Sequence, residues 1–228
     1  MNEPSTALVK VWDPIVRIGH WTMVITFTIA YFVEDKILWL HVWCGYALGV
    51  VVVFRVFWGF VGPRRARFID FMYRPWTSIT YFFDLINLRS RRYIGYSPAG
   101  SVMIVTLLVM MGAIVYTGLV VFALEKNRGP LASFVNQAPA IAASADGAAT
   151  GATLGDQPAA VATVWKKSDD PEARSRRRFW DRLHRRLSNI TMLLIVLHIG
   201  GVVLASYAHR ENLVKAMFTG KKRPEAGT

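Results

Sequence analysis

The sequence predicts an all-α membrane protein that folds as a bundle of four transmembrane helices. The chain has 228 residues, of which 53% are apolar, and its mean hydropathy of +0.31 exceeds that of ordinary soluble domains. The apolar residues concentrate in four segments, at about 15–33, 37–61, 101–124 and 190–208. Each segment is close to the roughly 20 residues that a helix needs to cross the hydrocarbon core of a bilayer.

The first two spanning helices are predicted to be antiparallel neighbours, because the connection between them is very short. A polar lead-in occupies residues 1–14, and Pro14 suits the first turn of a helix. The first apolar run lacks a small-residue cleavage site, so we interpret it as a signal anchor that stays in the membrane. Only Glu34, Asp35 and Lys36 separate this run from the second one.

Residues 15–124 are predicted to contain the first three spanning helices and one interfacial segment. The segment at about 76–88 is rich in aromatic and aliphatic residues but too short to span. It is therefore interpreted as an amphipathic helix in the membrane interface, with an irregular loop as the alternative. The third spanning helix contains neither histidine nor charge, which favours a structural role in closing the bundle.

A long final helix is predicted at 171–208, with only its second half in lipid. It follows a flexible Ala-rich loop at 125–170, whose composition does not support folding on its own. Asp169 and Asp170 suit the helix N-cap, and Pro171 suits the first helical position. Residues 209–228 form a basic tail.

The distribution of basic residues predicts that both termini lie in the cytoplasm. The formal net charge is +12, and the arginines of the loop between the second and third spans agree with the positive-inside rule. A second arginine cluster at 174–186 lies on the opposite side, where long translocated loops are less constrained by charge. The basic residues flank apolar runs instead of forming a soluble basic face, which argues against nucleic-acid binding and for contact with membrane lipid.

Four histidines lie in or beside the apolar segments, and their spacing predicts two metal-centred cofactors. They are His20, His41, His184 and His198. Ionisable residues at membrane depth are costly and are interpreted first as functional. His184 and His198 are 14 residues apart, so both project to nearly the same helix face about 21 Å apart. One metal ion is too small to use both, whereas two stacked haems, each with a pair of imidazoles, fit this arrangement.

The predicted depths pair His41 with His184 on the outer side and His20 with His198 on the cytoplasmic side. Bis-histidine ligation of this kind is typical of cofactors held between the helices of a bundle. Cys44 is the only cysteine, so covalent attachment through two cysteines is excluded, and any haem must be held non-covalently as a b-type or similar haem. Two sets of ligands on the final helix, called ladders here, remain open: His184 with His198, or His198 with His209. The second is possible because His209 lies about three turns after His198 and shares its face.

Two arginines are candidate partners of the haem propionates. Arg55 follows His41 by 14 residues, which places it inward at the depth of the inner haem, and Arg17 lies one turn before His20. A guanidinium binds a carboxylate through two parallel hydrogen bonds. The alternative for both is that they extend to the lipid headgroups. Gly45, one turn after His41, leaves space for a porphyrin, with simple helix–helix contact as the alternative.

The order of these motifs resembles the bacterial cytochrome b561 family, which is related to the cytochrome b subunits of nickel–iron hydrogenases. The resemblance rests on four stretches and the tail, and it covers all four spans. The stretches are Arg17-Ile18-Gly19-His20-Trp21, Leu40-His41-Val42-Trp43-Cys44-Gly45, Leu183-His184 and Leu197-His198, with the tail Glu211-Asn212-Leu213-Val214-Lys215-Ala216-Met217. Two features depart from the family: Arg185-Arg186 follow His184 where an acidic residue is common, and the Ala-rich loop is long.

The resemblance implies a di-haem b protein of the bacterial cytoplasmic membrane, with ligands at His20, His41, His184 and His198 and no ligand role for His209. It implies electron exchange with the quinone pool and with a partner or small molecule at the outer face. Whether the electron-transfer cytochrome also acts as a quinone oxidoreductase stays open at this point. The arginines before the fourth span suit an acidic partner such as a c-type cytochrome. The alternatives are a membrane anchor subunit of a larger oxidoreductase and a histidine-based proton or metal transporter.

Overall fold

The fold was examined in a computed structural model that describes residues 9–34, 36–64, 66–70, 72–93, 95–135 and 171–223. These residues divide into two compact units. One unit comprises the described residues within Met1–Gly112 and Asn189–Thr228, and the other comprises the described residues within Ala113–Ser188. The predicted lead-in up to residue 8, the Ala-rich loop from residue 136 onward and the predicted caps Asp169 and Asp170 lie outside the described residues.

The described part of the chain is almost entirely helical. The α-helices are α1 (Pro14–Val33), α2 (Leu38–Val61), α3 (Pro75–Ile86), α4 (Pro98–Lys126), α5 (Pro171–Ala208) and α6 (Leu213–Thr219). A 3-10 turn occupies Phe68–Asp70, and two short strands, β1 (Val9–Lys10) and β2 (Lys221–Lys222), pair antiparallel. The helices α1, α2, α4 and α5 are long and apolar enough to cross a membrane, which confirms the predicted all-α membrane fold.

Local sequence explains how α1 begins and how it meets α2. The Asp13 side chain accepts hydrogen bonds from the backbone N–H groups of Ile15 (2.8 Å) and Val16 (3.3 Å), and Pro14 occupies the first turn. These are the groups that a helix leaves without an internal partner at its start. The two helices pack against each other, and their short connection places the start of α1 beside the end of α2.

The C-terminal segment is fastened beside the start of α1. Val9 pairs with Lys222 and Lys10 with Lys221, and the Gly220 carbonyl accepts from Val11 N–H at 2.8 Å. Gly220 has φ +77°, a left-handed conformation that closes α6 and favours glycine. The end of α1 that carries Asp13 is called the tail side below.

A buried ion pair holds this tail to the loop after α3. The Arg92 guanidinium donates to both carboxylate oxygens of Glu211, at 3.0 and 3.3 Å, and Glu211 also accepts from the backbone N–H of Arg223. Glu211 is only 7% exposed. Burial alone would raise the pKa of the Glu211 carboxyl, but the Arg92 hydrogen bonds and the Lys222 charge outweigh it, so the pKa lies below its ordinary value.

Replacing Glu211 by glutamine is expected to loosen the tail and to lower stability by about 1–3 kcal/mol at neutral pH, the scale of charge-assisted hydrogen bonds. Because the folded-state pKa of Glu211 is depressed, its contribution is present above the unfolded pKa and is lost as the pH falls through the folded pKa. Thermal unfolding in detergent, measured from neutral to acidic pH, should therefore show wild type and Glu211→Gln converging at low pH. A gap that persists unchanged in acid would contradict the account.

Candidate functional site

His41 lies near the start of α2, and its ring is held by α1. The ring Nδ1 lies 2.9 Å from the Ala30 carbonyl oxygen. A carbonyl can only accept, so Nδ1 carries the proton and Nε2 carries the lone pair in the neutral ring. A hydrogen bond from the far ring nitrogen to a backbone carbonyl is the arrangement that orients histidines for metal ligation. His41 thus has the tautomer and the fixed ring expected of an axial ligand.

His184, in the second unit, is oriented in the same way by a hydroxyl of α4. Its Nδ1 lies 3.0 Å from Thr117 Oγ1. That hydroxyl also lies 2.9 Å from the Ala113 carbonyl and 3.0 Å from the Ile114 carbonyl. With its hydrogen assigned to one of these carbonyls, its oxygen accepts from the ring Nδ1–H. Nε2 of His184 again carries the lone pair. The helix predicted to be merely structural therefore positions one of the candidate ligands.

Gly118 allows the His184 ring to approach α4 this closely. A Cβ at Gly118 would lie 3.1 Å from His184 Cε1 and 3.5 Å from Nδ1, which is tighter than ordinary van der Waals contact. Neither Thr117 nor Gly118 stood out in the sequence as a site residue. The available signal was their adjacency, because a hydroxyl and a glycine occur side by side in an otherwise apolar helix.

Replacing Gly118 by valine is expected to displace the His184 ring and to cost about 1–3 kcal/mol of overpacking. The expected result is loss of one haem signal, measured by the haem-to-protein ratio and by low-spin electron paramagnetic resonance. Gly112→Ala is the matched control on the same helix, because its Cβ would meet nothing closer than Val52 Cγ1 at 4.0 Å. Full haem content in Gly118→Val would argue against a ligand role for His184.

His20 and His198, both in the first unit, are brought together by the fold. They are close enough for their charges to repel when both are protonated. Nδ1 of His20 is buried and has no hydrogen-bond partner among the described residues. The Trp21 ring lies edge-on to the His20 ring, with centroids 5.3 Å apart. These two predicted ligands therefore lie within electrostatic range of each other, on helices that are far apart in sequence.

His209 lies past the end of α5 in a polar cluster. Its Nε2 lies 3.4 Å from the Tyr81 hydroxyl and 3.5 Å from Ser90 Oγ. Burial and the charges of Arg92 and Lys222 lower the pKa of His209, with Glu211 opposing them. This histidine has its own partners among polar side chains, unlike His198, which lies inside the spanning helix.

A set of buried polar atoms at the tail side has no hydrogen-bond partner within the described residues. On α1 and α2 these atoms are Arg17 Nε, His20 Nδ1, Trp21 Nε1, Arg55 Nη1, Arg55 Nη2 and Trp58 Nε1. All of them are nitrogens, and those of arginine and tryptophan can only donate. Unsatisfied buried donors are rare in proteins because each costs about 1–3 kcal/mol. Their grouping points to a ligand that offers oxygen acceptors and negative charge.

Arg55 is the centre of this donor set. It is 7% exposed, and it forms no ion pair with a carboxylate in the part of the chain that the structure describes. Its guanidinium lies 5.1 Å from the centre of the Phe68 ring, and a Cβ at Gly59 would overlap that ring. Burial raises the pKa of the neighbouring Tyr96 phenol, and the charge of Arg55 and a side-chain hydrogen bond with Arg55 oppose this. Tyr96 is thus a polar neighbour of Arg55 but not an anionic one. A buried cation without an anion is strongly destabilising, so Arg55 fits an anionic group of a cofactor.

Arg17, the second predicted propionate partner, also forms a hydrogen bond with the C-terminal tail. One of its terminal nitrogens donates to the Phe218 carbonyl, while Nε is buried without a partner. The Phe218 ring stacks on Trp21 with centroids 4.2 Å apart. The C-terminal helix α6 thus borders the His20 region, a role that the sequence did not reveal.

Gly45 lies one helical turn after His41 and faces open space. A Cβ at this position would meet no atom of the described residues within 4 Å. Among the described residues of the first unit, helix–helix contact therefore does not explain the glycine, and the open space agrees with the expectation of room beside His41.

Replacing Gly45 by leucine is expected to remove one haem while leaving the helices packed, because the new side chain occupies the porphyrin's place and no protein atom. Gly45→Ala, which adds a single methyl group, should keep most of the haem. The haem-to-protein ratio of detergent-purified variants measures this effect, with helical content by circular dichroism as the folding control. Two haems per chain in Gly45→Leu would disprove the assignment.

Thr191 is a further buried polar residue that the sequence did not single out. It lies on α5 seven residues after His184 and seven before His198, on the same helix face. It is fully buried, and its hydroxyl has no partner among the described residues. Among the same residues no three His, Cys, Asp or Glu side chains converge, so the histidines do not form a many-ligand metal site there.

Spanning helices that carry oriented histidines and buried nitrogen donors are the features of a membrane protein that binds a cofactor between its helices. The chain belongs to the prokaryotic cytochrome b561 family, whose model matches residues 11–220. Membership indicates haem b binding and electron transfer across a bacterial membrane. Neither the comparison with curated proteins nor that with solved structures found a match.

Proposed function

We propose that this chain carries electrons across the membrane through two b haems, one bound by His20 and His198 and the other by His41 and His184. The observation that carries the proposal is the ring chemistry of His41 and His184. In both rings Nδ1 lies within hydrogen-bond distance of an oxygen, and a proton on Nδ1 assigns Nε2 as the proposed ligating atom. The electrostatic proximity of His20 and His198 supports the second pair.

The protein's own contribution is ligation, charge compensation and exclusion of water. The haem iron supplies a one-electron ferric–ferrous couple when it is bound. Arg55, Arg17 and Trp58 would hold propionate carboxylates, which supply the oxygen acceptors that their buried nitrogens lack. The apolar helices around the histidines lower the local dielectric constant, so these charges act strongly on the reduction potential.

Quinone is proposed as the redox partner within the membrane, and an acidic protein or small anion as the partner at the other face. Support for the second partner comes from the first half of α5. Its exposed arginines include Arg174, Arg176, Arg178, Arg182, Arg185 and Arg186, and Asp181 pairs with Arg185 at 3.2 Å. A dense cationic surface raises the association rate of anionic partners. The protein is proposed to lie in the inner membrane, with both termini on the cytoplasmic side.

The experiment uses purified holoprotein in sealed vesicles. A membrane-soluble quinol should reduce the haems, and an acidic c-type cytochrome outside the vesicles should then reoxidise them, more slowly as the salt concentration rises. Replacing Arg176, Arg178 and Arg186 by glutamine should slow the second step and leave quinol reduction unchanged. Failure of quinol to reduce the haems would exclude the quinone assignment, and salt-independent reoxidation would exclude the acidic partner.

A further inference from the structure

The helix α3 presents three different faces around its circumference. At about 100° per residue, Ser78, Tyr81 and Leu85 share one narrow arc, and all three are buried. The adjoining arc, about 120° wide, is apolar and exposed. It is called the apolar face here, and it consists of Trp76, Ile79, Phe82, Phe83 and Ile86. The remaining arc is polar and exposed, with Thr77, Thr80, Asp84 and Asn87.

The buried arc fixes the depth of α3. Ser78 Oγ donates to the Pro98 carbonyl at 3.0 Å, at the first residue of the spanning helix α4. The Tyr81 hydroxyl reaches His209 at 3.4 Å, just past the last residue of the spanning helix α5. Spanning helices begin and end at the level of the lipid headgroups, so α3 lies at that level on the tail side. Its 12 residues are too few to cross a bilayer.

The apolar face is too exposed for a helix in contact with water. Trp76 is 75% exposed and Phe83 is 60% exposed, and the preceding Ile69 and Met72 are exposed as well. Exposed apolar surface of this extent marks an interaction site. At headgroup depth, with polar residues on the neighbouring arc, the acyl-chain boundary of the bilayer is the surface that this face meets.

The surroundings of α3 are cationic. Arg64, Arg74, Arg89 and Arg91 are exposed and make no side-chain hydrogen bond or ion pair within the described residues; they are called the basic rim. The nearby arginines that do have carboxylate partners are Arg67, paired with Asp70 at 3.1 Å, and Arg92, paired with Glu211. The basic rim therefore places positive charges before α3, at Arg64 and Arg74, and after it, at Arg89 and Arg91.

We propose that α3 and the basic rim form a binding site for anionic phospholipid. The apolar face inserts at the acyl-chain boundary, and the guanidinium groups bind the phosphodiester and the net negative charge of the headgroup. Guanidinium groups suit phosphate because they donate through two parallel hydrogen bonds. Clusters of arginine beside a membrane surface favour anionic over zwitterionic lipid by charge. This site is independent of the histidines and of the electron-transfer proposal.

The test measures quenching of Trp76 fluorescence by brominated lipids in the reconstituted full-length protein. The signal of Trp76 is isolated as the difference between wild type and Trp76→Phe. Brominated phosphatidylglycerol should quench Trp76 at an at least threefold lower mole fraction than brominated phosphatidylcholine. In the variant Arg74→Gln, Arg89→Gln, Arg91→Gln the two lipids should quench alike. The charge-matched control Arg176→Gln, Arg178→Gln, Arg186→Gln on α5 should keep the preference.

Salt offers a second measurement that needs no variant. At 1 M salt the screening length falls to about 3 Å, so the preference of the wild-type protein for phosphatidylglycerol should disappear while quenching itself persists. Equal quenching by the two lipids at low salt would overturn the proposal, as would a preference that survives in the α3 variant. Absence of quenching by either lipid would show that the apolar face does not meet the bilayer.

Discussion

Replacing His198 by alanine is expected to leave one haem per chain in place of two, whereas replacing His209 is expected to leave both. His198 lies inside the spanning part of α5, within electrostatic range of His20. His209 lies beyond that helix and contacts Tyr81 and Ser90. An axial imidazole contributes a coordinate bond that nothing else in this apolar region replaces. The measurement is haem content by extraction, normalised to protein, for both variants.

Further histidine variants distinguish the two ligand ladders that the sequence leaves open. His20→Ala should reproduce the loss seen in His198→Ala, and the double variant should lose no more than either single one, because both remove the same haem. His41→Ala should remove the other haem and add to the loss. Loss of a haem in His209→Ala with retention in His20→Ala would overturn the pairing in favour of a ladder built from His198 and His209.

Replacing Arg55 by methionine is expected to weaken haem retention by about 10- to 100-fold, which corresponds to about 1.4–2.8 kcal/mol. Arg55 is buried, and its two terminal nitrogens have no partner among the described residues, so loss of the proposed propionate contact is the expected cause. Removing a positive charge beside the iron also favours the ferric state, so the reduction potential of the affected haem should fall. A redox titration followed in the visible spectrum measures both effects.

The apoprotein should respond to this substitution in the opposite direction. Without haem, Arg55 is a buried cation that lacks an anion, and apolar residues of similar volume are often more favourable than such charges. Arg55→Met should therefore leave the haem-free protein as stable as wild type or more stable. Arg55→Lys keeps the charge but loses the planar pair of donors, and it should restore the potential more fully than the affinity. An unchanged potential in Arg55→Met would exclude the propionate contact.

The pattern of apolar segments was sufficient to predict the spanning helices, because hydropathy over about 20 residues depends on composition alone. Helix direction, which follows from connection lengths, is what predicts the same depth for His20 and His198. The roles of Thr117 and Gly118 were not predictable, because a single hydroxyl or glycine in an apolar helix has many explanations. Only the packing of α5 against α4 shows that these two residues meet the His184 ring.

The arrangement of the C-terminal tail depends on contacts between distant parts of the chain. The sequence indicated a basic tail, and the structure adds α6, the pairing of β2 with β1 and the buried Glu211–Arg92 pair. Glu211 and Arg92 are 119 residues apart, and local sequence carries no signal for such a pair. The stacking of Phe218 on Trp21 likewise arises only when α6 folds back onto α1.

The central claim, two b haems each held by two histidines, is tested most directly by one measurement on the purified protein. A reduced-minus-oxidised visible spectrum, calibrated by extracted haem, gives the cofactor type and its number per chain. The account predicts a b-type spectrum with two low-spin haems per chain. A spectrum without b-type haem, or a stoichiometry of one haem per fully loaded chain, would contradict it.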